Sequence, residues 1–408
     1  MTSVFNIPTI ISRFGLLTLL VAASGTAFFI SCPSRDTSSN AAQQSLFTNA
    51  QGSPVSVQGG PGNILIGDMN NDRKLDLVVA LGTTRSITVI EGKGNGQFGA
   101  ALSTTTVTDG PGDMALGDLN GDGKLDVAVT SHDSYGVMLL NGDGKGGLTV
   151  APNSPFVMKQ GQHPHTHGLA VADMNRDNKL DLITCNNADN DISLAFGDGR
   201  GNFTRAPKSF PVGPSPYPFA VGDVNNDGWQ DIVATASATG PSRREQLPLS
   251  RALTLLLADG KGGFSPHQLP IRTGEPWFAA IADLNRDGKP DIIATHHEIN
   301  AMTVMIGDGR GGFTETNGSP FDFGVSFSQL MVADVDRDAT TDIVATKGDS
   351  LRVLLGDGRG ALKPGASVPV GPGAWRLAIA DLNGDGAIDV VTSNSEGNSI
   401  NALLGKRG

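Results

Sequence analysis

The chain has 408 residues, of which 54 are glycine, while aromatic residues make up only 5% and charged residues 17%. This composition suits many short strands joined by tight turns better than a helical bundle. The formal net charge of −11 excludes a nucleic-acid binder of the usual basic kind, unless the acidity is localised and neutralised by bound cations.

Residues 1–32 predict an export signal. One charge, at Arg13, precedes an apolar stretch that runs to Ile30, which is typical of a secretory leader. The segment Phe29-Ile30-Ser31-Cys32 resembles a bacterial lipoprotein box, which implies that Cys32 is acylated and becomes the new N-terminus. An uncleaved anchor helix is the alternative, since about seventeen apolar residues lie at the short limit for spanning a bilayer.

Either form of this leader predicts an extracytoplasmic protein, secreted or held at the cell surface. We expect contact with the membrane only through the N-terminal lipid anchor. Residues 33–45 are rich in Ser, Asn, Ala and Gln and have no apolar pattern, so they predict a flexible linker.

Beyond this linker, one nine-residue acidic pattern recurs seven times. The copies begin at Asp68, Asp118, Asp173, Asp223, Asp283, Asp334 and Asp381. Their starts lie 50, 55, 50, 60, 51 and 47 residues apart. Such a period is expected when each repeat is a small sheet of about four strands.

Each repeat predicts the same strands in the same order. In the first repeat an apolar strand at 63–67 enters the acidic loop and a β-branched strand at 75–79 leaves it, which predicts a hairpin. A third strand at 86–90 follows, then a glycine-rich turn of the kind found at 197–203, then a more polar fourth strand. Strands in this order make one blade of a propeller.

The two ends of the chain predict how the ring of blades closes. The last repeat stops at 403–408, inside its glycine turn and without a fourth strand. The segment 46–54 echoes 312–320, which is the fourth strand of an interior repeat. We therefore expect residues 46–408, with their seven repeats, to form an all-β, seven-bladed β-propeller. Its first strand pairs into the last blade and removes the exposed sheet edges.

The acidic loops have the chemistry of calcium sites. Six of them follow Asp-x-Asn-x-Asp-x-x-x-Asp, and the sixth loop in chain order has Asp336 in place of the asparagine. Positions one, three, five and nine offer side-chain oxygens and position seven its carbonyl, which suits the roughly six to eight oxygens that calcium takes. The expected ligands, for up to seven calcium ions, are Asp68, Asn70, Asp72, Asp76, Asp118, Asn120, Asp122, Asp126, Asp173, Asn175, Asp177, Asp181, Asp223, Asn225, Asp227, Asp231, Asp283, Asn285, Asp287, Asp291, Asp334, Asp336, Asp338, Asp342, Asp381, Asn383, Asp385 and Asp389.

The loops are not EF-hands, because position twelve of the second loop is Val129, inside an apolar strand, instead of a glutamate. Position six is glycine in four loops and Asn178 in a fifth, as a positive φ angle requires. Arg73 and Ala339 occupy that position in the first and sixth loops, where we expect weaker binding.

The alternative reading of these loops is a set of Asx-type turns that cap backbone amides without a metal. The loops hold 22 of the 41 acidic residues, and without those charges the net charge would change from −11 to +11. The acidity of the protein therefore belongs to the loops, which favours bound cations.

The repeats resemble FG-GAP repeats, as in the integrin α-subunit propeller and in bacterial proteins with FG-GAP or VCBS repeats. The resemblance covers 46–408 and rests on the acidic loops and on the glycine turns at 197–203, 258–264 and 307–313. It implies a seven-bladed propeller with calcium on its lower rim. In integrins only some blades carry calcium loops, whereas all seven repeats do here. Integrin-like ligand recognition is not implied, because it depends on a partner subunit absent from this chain.

The face opposite the acidic loops is where we expect a glycan or protein ligand. Six residues before each loop's first aspartate stand Gly62, Gly112, His167, Tyr217, Trp277, Ser328 and Trp375. Aromatic side chains around a concave mouth are typical of a platform for sugars or peptides. Tyr217, Trp277 and Trp375 are therefore candidate ligand-binding residues. The alternative is that they plug the mouth as packing.

The segment His163-Pro164-His165-Thr166-His167 places three histidines on one side of an extended chain, a spacing that can ligate a transition metal. His165 and His167 are candidate ligand-binding residues on this face. His296 and His297 are predicted on the same face, and a polar rim is the alternative role for all of these histidines. The long insertion at 237–251 is a candidate contact for a partner, and a disordered decoration is the alternative.

The sequence contains no recognisable catalytic motif. It has no Gly-x-Ser-x-Gly elbow, and His297-Glu298 lacks the second histidine of a zinc-protease helix. The first hypothesis is therefore a non-catalytic surface binding or adhesion module. The second is a polysaccharide lyase or hydrolase whose histidines and Arg376 line the central mouth.

Overall fold

The computed structural model describes residues 46–237, 251–296 and 298–406, and every regular element in these ranges is a β-strand. The expected export signal with Cys32, the linker, most of the 237–251 insertion and His297 lie outside the described residues. Within the described ranges, no helix is long and apolar enough to cross a bilayer.

The strands form seven antiparallel sheets, which are the blades of a ring. The chain begins with β1 (Phe47–Asn49) and β2 (Val55–Ser56). Blade 1 contains β3 (Pro61–Gly67), β4 (Asp76–Leu81), β5 (Ser86–Gly92) and β6 (Phe98–Thr106). Blade 2 contains β7 (Pro111–Gly117), β8 (Asp126–Ser131), β9 (Gly136–Gly142), β10 (Leu148–Val150) and β11 (Phe156–Val157). Blade 3 contains β12 (Thr166–Ala172), β13 (Asp181–Asn186), β14 (Asp191–Gly197), β15 (Phe203–Arg205) and β16 (Phe210–Pro211).

Blade 4 contains β17 (Phe219–Gly222), β18 (Asp231–Ala234), β19 (Ala252–Ala258) and β20 (Phe264–Pro270). Blade 5 contains β21 (Pro276–Ala282), β22 (Asp291–His296), β23 (Ala301–Gly307), β24 (Phe313–Glu315) and β25 (Phe321–Asp322). Blade 6 contains β26 (Leu330–Ala333), β27 (Asp342–Lys347), β28 (Ser350–Gly356) and β29 (Leu362–Pro369). Blade 7 contains β30 (Ala374–Ala380), β31 (Asp389–Asn394) and β32 (Ser399–Gly405), with β1 and β2 beside β32. In blades 2, 3, 5 and 7 two short strands share the place of the fourth strand.

The N-terminal strands close the ring, as the sequence predicts. Phe47 lies opposite Gly405 and Val55 lies opposite Ile400, both in antiparallel register with β32. The first strand of each blade also contacts the first strands of both neighbouring blades, including β3 with β30. The prediction of a seven-bladed β-propeller closed by its first strand is confirmed.

The core lies between neighbouring blades. Each of the seven buried apolar clusters joins one pair of adjacent blades around the ring. Every residue of the second strands β4, β13 and β22 is buried, because the neighbouring blades cover both of their faces. The outer strands β6 and β20 are largely exposed, which explains their polar sequences.

Five of the seven first strands carry a β-bulge, which lies five or six residues before the first aspartate of the acidic loop. In five blades the register between first and second strands shifts there. The shifts lie at Pro61/Ile64, Pro111/Met114, His167/Leu169, Pro276/Phe278 and Ala374/Arg376. A bulge redirects the side chains around it. The side chains at one mouth of the ring therefore depart from strict strand alternation.

Candidate functional site

The acidic loops join the first and second strands of their blades and share one hydrogen-bonding pattern. In blade 5 the N–H of Asp287 donates to Oδ1 of Asp283 at 3.2 Å and to Oδ1 of Asn285 at 2.9 Å. The N–H of Gly288 donates to Oδ2 of Asp283 at 2.9 Å. The same three bonds recur in the other six loops. Because the first and third side chains share a donor, their oxygens lie side by side.

The donor set of the loops fits a hard cation. In the sixth loop, carboxylate oxygens of Asp334, Asp336 and Asp338 lie within 4.8 Å of one another. Oxygen donors without sulfur or imidazole suit calcium. A carboxylate has about four acceptor positions, so the observed backbone N–H donors do not exhaust it. The Asx turns of the alternative reading are thus present and compatible with a bound ion, and calcium itself stays a prediction.

Lysine side chains already face some of the loop carboxylates. In blades 1, 2, 3 and 5 the lysine at position seven lies 3.0–3.4 Å from the carboxylate at position five. Lys289 and Asp287 form one such pair at 3.1 Å. These pairs are largely exposed, so each contributes little to stability. They do indicate that the fifth-position carboxylates attract a positive charge.

The ninth-position aspartates have a structural role that the sequence analysis missed. Asp291 is fully buried, and its carboxylate accepts the N–H of Leu284 and the N–H of Gly307, both at 2.8 Å. Leu284 is position two of the loop and Gly307 ends β23, so this carboxylate ties the loop to the third strand. An equivalent pair of bonds occurs in the other blades. Burial, reinforced by the neighbouring loop aspartates, raises the pKa to about 6 at Asp181, Asp231, Asp342 and Asp389.

The sixth position of every loop has the positive φ angle that the sequence predicts. Glycine and Asn178 accommodate it readily, but Arg73 and Ala339 both have φ of 66°. A residue with a Cβ atom loses about 1–2 kcal/mol in this conformation. At the sixth position, this backbone strain falls on the first and sixth loops. Weaker calcium binding by these two loops stays a prediction.

Neighbouring blades are also joined on the loop face. The N–H of Gly146 in blade 2 donates to the carbonyl of Met69 in blade 1 at 3.0 Å. Gly360 in blade 6 makes the same bond to Leu284 in blade 5 at 3.1 Å. The glycine turn of one blade thus lies on the acidic loop of the preceding blade. A cation that orders a loop would also order this contact.

At the opposite mouth, three of the predicted aromatic residues stack in a row. The ring of His167 lies 4.2 Å from that of Tyr217, which lies 4.1 Å from that of Trp277. These side chains are 7%, 5% and 4% exposed. Their burial favours the alternative that they plug the mouth, instead of forming an open platform. Trp375 is half-buried and keeps accessible surface, and a ligand role for any of them stays a prediction.

Arg376 of blade 7 forms an ion pair with blade 2, beyond the neighbouring blade 1. It is 3% exposed, and its Nη2 lies 2.7 Å from Oδ1 of Asp113 in blade 2. The same carboxylate accepts Nδ2 of Asn63 at 3.2 Å and the N–H of Gly168 at 2.8 Å. Burial lowers the pKa of Arg376, while the Asp113 charge opposes that shift. Arg376 was a candidate for substrate chemistry, but it has little surface that a substrate can reach.

Between the Arg376–Asp113 ion pair and the acidic face, the first strands enclose an apolar cavity of about 610 Å³. Its wall includes Ile64, Phe219 and Leu330 from the first strands, and it reaches Asp334 and Asp381 at the acidic face. The ring therefore has a polar and aromatic closure at one mouth and an apolar interior behind it.

Three histidines converge at the closed mouth, but they are not the three that the sequence predicts. His132 lies in the turn after β8 of blade 2, and one ring nitrogen each from His132, His165 and His167 lies within 4.8 Å of the others. His163 is not in this group. His296 of blade 5 is also outside it, and its Nε2 lies 2.8 Å from the hydroxyl of Thr303. His132 was detectable in the sequence, since a turn between second and third strands lies at the opposite end of the second strand from the acidic loop.

Burial controls the charge of the histidines at this mouth. It lowers the pKa of His165 to about 4, with a further contribution from His132. The pKa of His167 is lowered well below its ordinary value by burial and then by His165, His132 and Arg376. His165 and His167 are therefore neutral near neutral pH, with a lone pair on one ring nitrogen each.

Comparisons with solved structures agree on the fold. An Agrocybe aegerita lectin that recognises non-reducing terminal N-acetylglucosamine is 17% identical, with a TM-score of 0.53, covering 84% of this chain and 94% of that one. BBS1N, solved in complex with ARL6DN, is 12% identical, with a TM-score of 0.60 and coverages of 89% and 98%. A protein from Lactobacillus plantarum is 14% identical, with a TM-score of 0.52 and coverages of 85% and 92%. At these identities the likeness concerns the fold alone.

Sequence comparison identifies the family. No curated protein sequence matches the chain. The FG-GAP-like repeat matches residues 68–129, 118–184, 173–234, 283–345 and 334–392. These segments span more than half of the chain and include the acidic loops of all seven blades. The chain belongs to the FG-GAP-like repeat family.

Proposed function

We propose that this protein is a calcium-binding, extracytoplasmic β-propeller that acts as a surface binding module for a glycan or a protein. The observation that carries the proposal is the sevenfold repetition of one oxygen-lined loop on one face of the ring. In this role calcium orders the loop face, and the opposite face is left to recognise the ligand.

Electrostatics supports the calcium part of the proposal. The loops concentrate 22 of the 41 acidic residues on one face. Their carboxylates repel one another unless cations are bound. Seven divalent ions would change the formal charge from −11 to +3. In blades 1, 2, 3 and 5, binding at the loop would displace the lysine at position seven from its carboxylate. It would also strengthen the contact between that loop and the glycine turn of the next blade.

The opposite mouth is the proposed ligand face. Tyr217 and Trp277 form its buried floor, and Trp375 offers a partly accessible indole. An exposed aromatic face beside polar groups is a common element of sugar recognition. The Agrocybe aegerita lectin recognises a sugar on a propeller, which makes glycans the first ligand class to test.

Calcium binding is tested by counting ions and by chelation. Equilibrium dialysis with elemental analysis is expected to give up to seven calcium ions per chain. Chelation is expected to lower the melting temperature sharply, since an ion that binds only the folded state stabilises it. Unchanged melting in excess chelator, or fewer than about four ions per chain, would overturn this part.

Ligand binding is tested on a glycan array with calcium present. Binding without product release is expected, and Trp375→Ala is expected to weaken it. Trp229→Ala is the matched control, because Trp229 stands in the acidic loop of blade 4, at position seven. Equal losses in both variants would place the ligand elsewhere or show a general loss of folding.

A second candidate, a polysaccharide lyase or hydrolase, is favoured by the convergence of His132, His165 and His167 at the mouth. It predicts new reducing or unsaturated ends when the chain is incubated with polysaccharide. Activity abolished by His165→Ala and retained in His163→Ala would establish it. If the array identifies a glycan and the chain releases no product from it, the enzyme candidate is excluded for that glycan.

A further inference from the structure

Two segments from neighbouring blades bring the three histidines together. His165 immediately precedes β12 and His167 is its second residue, so in extended chain their side chains lie on the same side. The N–H of Thr166 donates to the carbonyl of His132 at 3.0 Å, and its hydroxyl donates to the carbonyl of Ser134 at 2.7 Å. The backbone of blade 3 is therefore bonded directly to the turn that carries His132.

A bulge directs His167 toward this turn. Gly168 has a φ of +69°, and the register of β12 shifts between His167 and Leu169. The His167 ring also stacks on Tyr217 at 4.2 Å. Its orientation is thus fixed by packing on one side and by the backbone on the other, as a preorganised ligand requires.

The nitrogen positions match those around a single metal ion. Nε2 of His165 lies 3.0 Å from Nε2 of His167. Two nitrogens bound to one ion at about 2.0–2.1 Å are separated by about 3–3.5 Å. A ring nitrogen of His132 lies within 4.8 Å of both, and the three rings meet edge to face at interplanar angles of 75–84°. Small rotations of the His132 side chain, which is half exposed, would complete the set.

A carboxylate supports the third histidine. Nδ1 of His132 lies 2.8 Å from Oδ1 of Asp133. When Nδ1–H donates to a carboxylate, the lone pair is on Nε2, and this arrangement of carboxylate and histidine is the usual support of a metal ligand. Asp133 therefore provides an observation that is independent of the convergence of the rings.

We propose that His132, His165 and His167 bind one divalent transition-metal ion, with zinc as the representative metal. Imidazole donors prefer zinc, copper, nickel or iron, whereas the oxygen-lined loops prefer calcium. The two kinds of site lie on opposite faces and load independently. Three protein ligands leave a fourth position of a tetrahedral ion for water or for an oxygen atom of a bound ligand. The ion would thus provide a point of attachment at the proposed ligand face.

The test is zinc titration of the full chain by calorimetry, with calcium in excess so that the acidic loops do not compete. We expect one zinc ion per chain. His132→Ala and His165→Ala are each expected to weaken binding by at least about 10-fold, since loss of even an outer partner of a ligand costs about 10–100-fold. Asp133→Asn is expected to give a smaller loss in the same direction.

His163→Ala is the matched control, because His163 lies in the same segment and outside the group of three. Its zinc affinity is expected to equal that of the wild type. Cobalt is the second probe: visible absorption typical of tetrahedral coordination is expected in the wild type and in His163→Ala and not in His132→Ala. If His165→Ala fails to fold, the half-exposed His132 still decides the question.

The proposal is overturned if zinc does not bind in excess calcium, or if His132→Ala binds zinc as tightly as His163→Ala. It fails independently of the calcium proposal, because the loops have no part in the measurement. If His163→Ala and His165→Ala weaken zinc binding equally, the proposed set is wrong, and the ion is bound by the three histidines of the segment 163–167 that the sequence predicts.

Discussion

Arg376 of blade 7 and Asp113 of blade 2 form a buried ion pair that bypasses the blade between them, with 2.7 Å between Nη2 and Oδ1. Blade 1 lies between these two blades around the ring, and its Asn63 bonds to the same carboxylate. Both side chains are almost fully buried, and the Nε and Nη1 of Arg376 have no hydrogen-bond partner among the described residues. With the N–H of Gly168 in blade 3, which bonds to the same carboxylate, the pair links four blades.

Removal of one partner of this pair is expected to be costly. Arg376→Met leaves the Asp113 carboxylate buried without its cation, and we expect the free energy of unfolding to fall by about 3–5 kcal/mol. The double variant with Asp113→Asn removes both charges and is expected to recover most of the loss. Urea denaturation followed by tryptophan fluorescence measures both. A double variant no more stable than Arg376→Met alone would contradict the argument.

The ninth-position and fifth-position aspartates are expected to differ in their dependence on calcium. Asp291→Ala leaves the buried N–H groups of Leu284 and Gly307 without acceptors, which costs about 1–3 kcal/mol for each group. This loss is expected both in calcium and in chelator. Asp287→Ala, at an exposed carboxylate, is expected to lower the melting temperature in calcium and to have little effect in chelator.

These two variants are compared by thermal unfolding with and without chelator. If Asp291→Ala behaves like Asp287→Ala, and its effect disappears in chelator, the ninth-position carboxylate acts only as a metal ligand and its structural role is wrong.

We expect that the third strand must end in glycine because no side chain fits there. A Cβ atom at Gly307 would lie 2.0 Å from the carbonyl oxygen of Pro290, and backbone cannot yield to it without shifting. We expect Gly307→Ala to destabilise the protein by more than about 2 kcal/mol, as overpacking of a rigid site does. Gly110→Ala is the control, because a Cβ atom there has nothing within 4 Å. Similar stability of the two variants in urea would count against this steric reading.

Relief of backbone strain in the sixth loop is expected to stabilise it. Ala339→Gly replaces a residue held at φ of 66° with one that adopts this angle freely, and we expect a gain of about 1 kcal/mol. Ala387→Gly is the control with the opposite sign, since Ala387 is buried and has no positive φ angle. Calcium titration of Ala339→Gly is expected to show tighter binding at that loop. A loss of stability in Ala339→Gly would contradict this.

Trp277 is expected to act on stability more than on ligand binding. Its side chain is 4% exposed and packs in the cluster between blades 5 and 6. We expect Trp277→Ala to lower the free energy of unfolding by about 3–5 kcal/mol, as large core truncations do. Trp375→Ala, at a half-buried residue, is expected to cost less. Denaturant unfolding of the two variants provides the comparison, and a small effect of Trp277→Ala would return it to the list of accessible ligand-binding residues.

The sequence by itself determined the architecture, because the determinants are local and repeated. A strand, an acidic turn and a β-branched strand recur at a nearly constant period, so the number of blades follows from counting the repeats. Ring closure was also predictable, since the segment at 46–54 copies an interior fourth strand that the last repeat lacks. The oxygen-rich positions of the loops and their left-handed sixth residue follow from spacing within nine residues.

Only the tertiary structure decided what meets at the axis. Asp113 and Arg376 are 263 residues apart, and His132 belongs to a different blade from His165, so no local spacing relates them. Burial was equally out of reach, because whether Tyr217 and Trp277 face solvent depends on how the bulged first strands of neighbouring blades redirect their side chains. Contacts of this kind arise from the closure of the ring, which brings all seven first strands around one axis.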